Sequence, residues 1–248
     1  MTLLPDSSWL TCPRPNARAP LRLFCFPYAG AGASVFRPWA AKLYPTVEVY
    51  AVQLPGRERR IGEPSLTSLH ALVAPLATAL LPYLDKPFAF FGHSMGALIS
   101  FEVVRYLRQR HNFLPIHLFV SGCRAPHIPA SHPLIHRLPN IEFSQALHRY
   151  GGTPEDVLQN SELMALFRPI LRADLAINET YTYRHESPLN CSISAFGGLQ
   201  DSHVKLEHLS AWYVQTQGTF TLDLFPGGHF FLKDKQEQLL AVIQRAAI

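Results

Sequence analysis

Residues 88–110 place the strongest constraint on the fold, because a short apolar strand, a glycine-flanked serine and a helix follow one another directly. The run Phe88–Phe91 has the length and aromatic content of a buried strand. Gly92–Gly96 follows as G-H-S-M-G, and apolar residues then recur at helical spacing. A G-x-S-x-G pattern alone is weak, but its position between a strand and a helix predicts a nucleophile elbow.

The two glycines of this pattern have a steric role in the predicted turn. A sharp strand-to-helix turn brings the two backbones close together, so a Cβ atom at Gly92 or Gly96 would collide with them. Ser94 between them is expected to be strained, with its hydroxyl exposed and a helix N-terminus behind it that favours negative charge. The segment therefore predicts a catalytic serine, and the alternative is a glycine-rich turn that contains serine by chance.

The composition is that of a globular protein, with 248 residues of which 48% are apolar and 16% are charged. We expect residues 1–248 to form a single α/β domain. No run of 18 apolar residues and no secretory signal pattern occurs, so neither a membrane span nor secretion is expected. The four cysteines are scattered, and Cys25 is expected to be a buried free thiol, which favours a cytoplasmic location.

Charge and motifs argue against several classes of function. The net charge of +4 comes from dispersed basic residues, so it does not indicate nucleic-acid binding and only weakly suits an acidic protein partner. The sequence has no H-E-x-x-H motif and no Cys/His cluster, which disfavours a metal site. It also has no G-x-G-x-x-G or Walker loop, which disfavours a nucleotide, and no cofactor is expected.

Strands and helices alternate along the chain, which predicts a mostly parallel sheet flanked by helices. Met1–Pro20 is expected to be an extended arm. The other predicted strands are Leu21–Phe26, Val47–Val52, Ile116–Ser121, Cys191–Phe196 and Phe220–Phe225. The predicted helices include Ser65–Leu84, Ser161–Phe167, Pro169–Thr180 and Leu206–Gln217.

Residues 126–188 interrupt this alternation between the fourth and the fifth predicted strand. The segment begins rich in proline and histidine and then becomes helical in pattern. We expect it to lie over the carboxyl ends of the strands as a helical lid that shapes an acyl pocket. The alternative is a structural subdomain without a gating role.

A serine nucleophile needs a base, and the base needs a carboxylate that orients it. In this topology the three residues occur in the order Ser, Asp or Glu, His, each on a loop after a strand. Asp201 follows the fifth predicted strand, and His229 follows the sixth in a Gly-Gly-His turn. Of the 12 histidines, His229 has the expected strand, loop and chain order, so Ser94, Asp201 and His229 would meet at one edge of the sheet.

Four other residues fit this order less well. His93 adjoins the serine, but its side chain should point away from the hydroxyl, so a structural role is expected. His203 lies on the loop of the predicted acid, which is the wrong loop for the base. Asp223 lies inside a strand pattern, and Asp234 follows the predicted base, against the expected order.

Two loops suggest binding. The loop 27–34 (PYAGAGAS) follows the first predicted strand, and in serine hydrolases of this topology it supplies one oxyanion-hole amide, which we assign to Ala29. Met95, directly after the serine, supplies the other amide, although an ordinary Gly/Ala turn is the alternative for the first loop. The loop 53–60 carries three arginines that could bind phosphate or a carrier protein, but a solvated loop is the more frequent explanation.

Six segments match a known family in order and at family spacing over nearly the whole chain. They are FCFPYAGAGASVF (24–36), VQLPGRERR (52–60), FFGHSMGALISFEV (90–103), LRADL (171–175), FGGLQD (196–201) and FPGGHFFL (225–232). The sequence resembles the type II thioesterases that accompany nonribosomal peptide and polyketide synthases, within the α/β-hydrolase superfamily. The resemblance implies an α/β-hydrolase fold and a free-standing editing enzyme that removes stalled or wrong acyl groups from the phosphopantetheine arm of carrier domains.

The resemblance also assigns roles to residues. The family's nucleophile, acid and base map onto Ser94, Asp201 and His229, and its oxyanion amides map onto Ala29 and Met95. The resemblance implies acyl or peptidyl carrier domains as partners. Neither nucleic acid nor a membrane is expected as a partner, and we expect a monomer.

Two details of the resemblance concern other residues. The family's LRAD segment matches at Arg172 and Asp174, which belong to the predicted lid. Tyr28 stands where many relatives have histidine, which leaves the catalytic assignment intact but can change how the loop sits near the substrate.

Three alternatives to the editing function stay open at this point. The animal medium-chain acyl-carrier thioesterases share much of the pattern, so fatty acid synthase is a second possible partner. The same fold and triad would also suit a lipase, another ester hydrolase or an acyltransferase, because fold does not determine function. A non-catalytic carrier-binding protein is the alternative from another class, and an intact Ser/Asp/His set argues against it.

Overall fold

The computed structural model describes residues 7–130 and 134–247, and its framework is a seven-stranded sheet with helices on both faces. The strands are β1 Leu10–Thr11, β2 Leu21–Phe26, β3 Val47–Val52, β4 Phe88–His93, β5 His117–Ser121, β6 Ser192–Gly198 and β7 Phe220–Phe225. The helices are α1 Arg37–Lys42, α2 Leu69–Leu80, α3 Met95–His111, α4 Asn140–Tyr150, α5 Glu155–Gln159, α6 Ser161–Glu179, α7 Leu206–Ser210, α8 Phe231–Asp234 and α9 Gln236–Ala247.

The strand order in the sheet is β1-β3-β2-β4-β5-β6-β7, and the predicted mostly parallel sheet is confirmed. Every neighbouring pair is parallel except β1 and β3, which are antiparallel. The short strand β1 belongs to the predicted arm, of which residues 1–6 lie outside the described residues. Because the other strands run the same way, the loops after β2, β4, β6 and β7 open at one edge of the sheet, here called the carboxyl rim.

Side chains of the parallel strands alternate between two apolar layers, as the period of two in a strand requires. On β2, Phe24 and Phe26 pack in the layer of α2 and α3, whereas Leu23 and Cys25 pack in the layer of α1 and α9. All residues of β2, β3 and β4 are buried, which explains why these strands are visible as apolar runs in the sequence. Cys25 is fully buried with a free thiol, as predicted.

The helical insertion, residues 126–188, lies between β5 and β6 and has a small apolar core of its own. The sequence predicted two helices divided at Pro169, but α6 continues through this proline. A proline inside a helix costs about 3 kcal/mol. Met164 before the proline and Leu171 after it are both buried against Phe143 of α4, and this packing offsets the local preference.

Two other predicted helices have different limits in the structure. α2 has Ser68 rather than Ser65 at its N-cap position, so it begins later than predicted. The helix predicted over Leu206–Gln217 is realised as α7 followed by 3-10 turns. Trp212 in these turns is fully buried and donates its indole N–H to the carbonyl oxygen of Cys123 at 2.9 Å.

Within residues 7–130 and 134–247, no helix is long and apolar enough to cross a membrane. In the same ranges, no group of three or more His, Cys, Asp or Glu side chains is arranged to hold a metal ion.

Candidate active site

Strand β4 and helix α3 meet at Ser94, the serine of the G-H-S-M-G pattern. Its backbone has φ 53° and ψ −117°, a positive φ that residues other than glycine rarely adopt. The amide of Ser94 donates a hydrogen bond to the carbonyl oxygen of Ser121 at 2.7 Å, which ties the turn to the end of β5. A strained serine between a strand and a helix is the geometry expected of a nucleophile elbow.

The two glycines around this serine leave no room for side chains, as the sequence predicted. A Cβ atom on Gly92 would lie 2.2 Å from the carbonyl oxygen of Gly96, and one on Gly96 would lie 2.1 Å from the carbonyl oxygen of Phe26. Backbone atoms cannot move aside as the end of a flexible side chain can. The glycines therefore let α3 pack closely on the ends of β4 and β2, which places Ser94 beside the loop that follows Phe26.

Asp201 and His229 meet on the loops after β6 and β7. Nδ1 of His229 and Oδ2 of Asp201 are 2.8 Å apart, and both side chains are almost completely buried. The other carboxylate oxygen accepts hydrogen bonds from the amides of His203 at 2.8 Å and Val204 at 3.1 Å. Because both oxygens are held, the carboxylate can fix the orientation and the tautomer of the imidazole.

The charge of Asp201 follows from these contacts. Burial raises the pKa of its carboxyl, but the hydrogen bond and charge of His229 and the amides of His203 and Val204 outweigh burial and hold this pKa below its usual range. Asp201 is therefore ionised at neutral pH and accepts the Nδ1–H of His229. Nε2 of His229 is then the ring nitrogen that can accept a proton.

His229 also lies next to the elbow. Its ring centroid is 5.0 Å from that of His93, the residue immediately before Ser94. A Cβ atom on Gly122 would lie 2.7 Å from Cε1 of His93 and 3.3 Å from Cε1 of His229, so the two rings flank the same point. The structure therefore brings Ser94, Asp201 and His229, chosen from chain order, to the same part of the carboxyl rim.

His93 has the structural position expected from the sequence. Its ring is fully buried, and its Nδ1 is 2.9 Å from the hydroxyl oxygen of Ser121. Burial lowers the pKa of His93 well below its usual value, and the neighbouring His229 and Lys233 act in the same direction. The neutral ring is part of the packing behind His229.

The two predicted oxyanion-hole amides lie in different settings. Met95 is the first residue of α3, and the first amides of a helix have no intrahelical acceptor. Ala29 lies in a turn that is closed by a hydrogen bond from the amide of Ala31 to the carbonyl oxygen of Tyr28 at 3.0 Å. In a trans peptide the carbonyl and the N–H point in opposite directions, so the amide of Ala29 points out of this turn.

Sequence reasoning placed Asp174 in the predicted lid but missed its contact with the loop of Ala29. Asp174 is completely buried, and its Oδ2 accepts a hydrogen bond from the amide of Gly30 at 2.7 Å. Arg57 donates to both oxygens of this carboxylate, at 2.6 and 2.7 Å. The solvated loop predicted for residues 53–60 is wrong in this respect, because Arg57 and Arg60 are both buried. The matched LRAD segment was the available signal for Asp174, but nothing in the sequence paired it with an arginine.

The helical insertion contacts the carboxyl rim beside His229. Tyr150 at the end of α4 stacks on His203. Gly152 packs against the ring of Phe230, the residue after His229, and a Cβ atom on Gly152 would lie 2.5 Å from Cζ of that ring. The insertion therefore reaches the edge of the sheet at which the predicted acid and base are found.

The contact between His117 and Ser194 lies inside the sheet, away from Ser94, and is structural. Nε2 of His117 is 2.8 Å from Oγ of Ser194, and this Oγ is also 2.7 Å from Oγ1 of Thr221. His117 is the first residue of β5, so it lies toward the edge of the sheet opposite the carboxyl rim. Ser194 is 1% exposed, so a substrate carbonyl cannot reach its hydroxyl.

Comparison with known proteins identifies the family of the chain. The thioesterase domain family matches residues 21–247. Linear gramicidin dehydrogenase LgrE of Brevibacillus parabrevis is 46% identical over 98% of this chain and 94% of its own length. Gramicidin S biosynthesis protein GrsT of Aneurinibacillus migulanus is 45% identical over 94% of this chain and 91% of its own. The medium-chain S-acyl fatty acid synthase thioesterase of Rattus norvegicus is 35% identical over 90% of this chain and 86% of its own length.

Solved structures agree with this assignment. The type II thioesterase BorB from the borrelidin biosynthetic cluster has a TM-score of 0.91 at 35% identity, covering 98% of this chain and 99% of BorB. The type II thioesterase YbtT from the yersiniabactin NRPS/PKS pathway has a TM-score of 0.87 at 31% identity, covering 97% of this chain and 98% of YbtT. The predicted α/β-hydrolase fold is therefore confirmed. Although LgrE is named a dehydrogenase, this sequence has no G-x-G-x-x-G pattern for a dinucleotide. The chain belongs to the thioesterase domain family and is a thioester hydrolase similar over nearly its whole length to type II thioesterases.

Proposed function

We propose that this protein hydrolyses acyl groups from the phosphopantetheine arm of carrier proteins, as an editing enzyme for a nonribosomal peptide or polyketide synthase. One observation carries the proposal: the buried pair of His229 and Asp201, 2.8 Å apart, lies beside the elbow that presents Ser94. Relatives named for gramicidin S biosynthesis and for an NRPS/PKS pathway support the class of substrate.

Ser94 is the nucleophile, and His229 is its base. As the hydroxyl oxygen of Ser94 attacks the thioester carbonyl carbon, its proton passes to Nε2 of His229. Asp201 keeps Nδ1 of the ring as a donor and stabilises the imidazolium that forms. These side chains need no cofactor, and the only prosthetic group in the reaction is the phosphopantetheine of the substrate.

The amides of Ala29 and Met95 stabilise the tetrahedral oxyanion. Removing one such donor typically costs ~3 kcal/mol of transition-state stabilisation. The N-terminus of α3 adds a partial positive charge near the same oxygen. The rate of the reaction therefore depends on the position of the Ala29 loop as well as on the base.

Two further steps complete the reaction. The tetrahedral intermediate collapses, the carbon–sulfur bond breaks, and the leaving thiolate takes the proton from His229. Ser94 now carries the acyl group as an ester, and water attacks the ester carbonyl while His229 accepts a proton from the water. The second collapse returns the proton to the oxygen of Ser94, so thioester and water give a carboxylic acid and the free thiol of the arm.

The helical insertion, residues 126–188, is the lid of this site and shapes the acyl pocket. Its contacts with the rim support this role, because Tyr150 stacks on His203 and Gly152 packs against Phe230 beside the base. A cover at this position limits the access of water to the acyl-enzyme and encloses the acyl chain.

Acyl-loaded carrier proteins test this function. Intact-mass analysis would follow carriers loaded with short acyl or aminoacyl groups, incubated with the wild-type protein or with Ser94→Ala. We expect the acylated mass to change to the free-thiol mass only with the wild-type protein. Unchanged carriers together with rapid hydrolysis of soluble thioesters would contradict the carrier substrate, and equal loss of acyl groups with Ser94→Ala would contradict the nucleophile.

A second candidate function is the release of medium-chain acyl groups from a fatty acid synthase, which is favoured by the 35% identity to the rat enzyme. A series of acyl lengths on one carrier separates the two, since a chain-releasing enzyme should prefer medium lengths. A non-catalytic carrier-binding protein would bind acyl carriers but leave Ser94 unreactive toward a fluorophosphonate. The expected monomeric state stays a prediction, which light scattering would test.

A further inference from the structure

We propose that Asp174, together with Arg57, is a positioning residue for the oxyanion hole, so that the helical insertion controls the geometry of the loop that stabilises the oxyanion. The observation behind it is the hydrogen bond from the amide of Gly30 to Oδ2 of Asp174, 2.7 Å long, between the loop after β2 and α6. The inference rests on the proposed function, because it takes the amide of Ala29 as an oxyanion donor.

The loop in question is the four-residue turn 28–31. Its closing hydrogen bond runs from the amide of Ala31 to the carbonyl oxygen of Tyr28 at 3.0 Å, and Gly30 at its third position has φ +79°. Positive φ at the third position is what a type II turn requires. The closing bond fixes the peptide between Tyr28 and Ala29 but not the next peptide, whose N–H belongs to Gly30. Another contact must hold that second peptide.

Asp174 supplies this contact. Because peptides are planar, the bond from the amide of Gly30 to Asp174 fixes the plane after Ala29, and the closing bond of the turn fixes the plane before it. The peptide planes before and after Ala29 are then both fixed, and with them the direction of the Ala29 N–H. Leu171, one turn earlier on α6, fills the space beside Gly30, where a Cβ atom would lie 2.6 Å from Cδ2 of the leucine.

Arg57 compensates the buried negative charge of the Asp174 carboxylate. An unpaired carboxylate in the interior is strongly unfavourable, and Asp174 is completely buried. Arg57 donates two hydrogen bonds to the carboxylate of Asp174, at 2.6 and 2.7 Å, and a third to the carbonyl oxygen of Ala31 at 3.2 Å. The side chain of Gln53 donates to the carbonyl oxygen of Arg57 at 3.0 Å, which fixes the backbone of this loop. The arginine therefore holds the carboxylate and the end of the turn together.

This arrangement couples two parts of the molecule. Asp174 belongs to α6 in the insertion, whereas Gly30 belongs to the loop after β2. A movement of α6 away from the sheet would remove the acceptor of the Gly30 amide. The oxyanion hole is therefore complete only when α6 is in place, and an open insertion would slow the chemical step as well as change access to the site.

The test compares Asp174→Asn with a matched control, Glu48→Gln. Arg22 and Glu48 form another buried arginine–carboxylate pair, 2.9 Å apart, near the starts of β2 and β3 and therefore at the end of the sheet away from the carboxyl rim. Both changes replace one oxygen of a buried carboxylate that faces an arginine by an NH2 donor, so Asp174→Asn cannot accept from the amide of Gly30 and from both nitrogens of Arg57 at once. The proteins would be assayed on a soluble acyl N-acetylcysteamine thioester, below the lowest unfolding midpoint of the set.

We expect kcat of Asp174→Asn to fall roughly tenfold to a hundredfold with KM nearly unchanged, because a donor misplaced by about 1 Å acts poorly in the transition state. Affinity for a trifluoromethyl ketone, whose adduct with Ser94 carries an oxyanion, should fall by a similar factor. Arg57→Lys keeps the positive charge and should retain more of kcat than Arg57→Gln. Glu48→Gln should unfold at a lower temperature and keep its kcat.

The proposal is overturned if Asp174→Asn keeps both kcat and affinity for the ketone, or if Glu48→Gln loses kcat by the same factor. If Asp174→Asn does not fold, Arg57→Gln gives the same comparison, and an unchanged kcat in that variant would overturn the proposal. Absence of Ser94-dependent turnover in the wild-type protein would contradict the proposed function and this inference together. Turnover of the soluble thioester without turnover of carriers would contradict the carrier substrate, while the loss of kcat in Asp174→Asn would still support the positioning role.

Discussion

Tyr150 at the end of α4 stacks face to face on His203, with ring centroids 4.2 Å apart and 6° between the ring planes. The ring of His203 meets the ring of His229 edge-on at a centroid distance of 5.8 Å. The amide of His203 also donates to Asp201 at 2.8 Å. One residue therefore joins the helical insertion to both the proposed acid and the proposed base.

Tyr150→Ala should loosen the insertion over the carboxyl rim. The change removes an aromatic stack worth about 1 kcal/mol beyond its buried area, so the amides of α4 and α5 should exchange hydrogen faster, whereas α3 should exchange at its usual rate. Hydrogen-exchange mass spectrometry measures this by peptide. Tyr150→Phe keeps the ring and is the control, and equal exchange in the two variants would contradict the role given to the stack.

Ser94→Ala and Ser94→Gly separate the chemistry of this position from its strain. Both variants lose the hydroxyl, so turnover should fall at least about a thousandfold in each. Glycine adopts the observed φ of 53° without the steric cost that the Cβ atom of alanine carries, so Ser94→Gly should have a free energy of unfolding about 1 kcal/mol higher than Ser94→Ala. Urea denaturation measures the difference. Near-normal turnover in either variant would exclude this serine, and equal stability would argue against the strain.

Asp201→Asn should lower kcat by roughly 10⁴ without unfolding the protein. An amide N–H facing Nδ1 of His229 favours the tautomer with its proton on Nε2, which cannot accept the proton of the serine. Steady-state kinetics and circular dichroism together measure the effect. Asp223→Asn is the control, because Asp223 lies within β7, and a similar loss in that variant would count against a specific role for Asp201.

His117 should make the protein less stable in mild acid. Burial lowers the pKa of His117 to about 4, whereas an unfolded histidine titrates near 6.5. Between these values the unfolded chain binds more protons, so stability falls as the pH is lowered through this window. The wild-type free energy of unfolding should fall by up to about 3 kcal/mol between pH 6.5 and 4 because of this histidine, and His117→Phe should not show that part of the fall.

Urea denaturation of His117→Phe at several pH values measures this loss. Exposed His70→Gln serves as the control and should follow the wild-type pH dependence. If the free energy of unfolding of His117→Phe follows the same pH dependence as that of the wild-type protein, this histidine is not the source of the acid-induced loss of stability.

The position of the elbow could be predicted from the sequence because its signal is local, and the positions of the proposed acid and base could be predicted from the order of the chain. A Cβ atom on Gly92 or Gly96 would lie less than 2.5 Å from backbone atoms, so both positions require glycine. This requirement appears in the sequence as the spacing of the two glycines around the serine. Asp201 and His229 follow from the order of strands and loops, since parallel strands carry their loops to one edge. Strands buried on both faces are also visible as apolar runs.

The contact between Asp174 and Arg57 could not be predicted in the same way. The two residues are 117 positions apart, and each belongs to a polar pattern that commonly lies in solvent. Only the packing of α6 on the loop after β2 buries both of them. The continuation of α6 through Pro169 has the same origin, because tertiary burial of Met164 and Leu171 outweighs the local preference of proline.

Labelling with a fluorophosphonate, followed by intact-mass analysis and peptide mapping, tests most directly whether Ser94 is the nucleophile activated by His229 and Asp201. We expect a single adduct on the peptide that contains Ser94, no adduct in Ser94→Ala, and much slower labelling in His229→Ala. An adduct on another residue, or labelling of Ser94→Ala at the wild-type rate, would contradict this expectation.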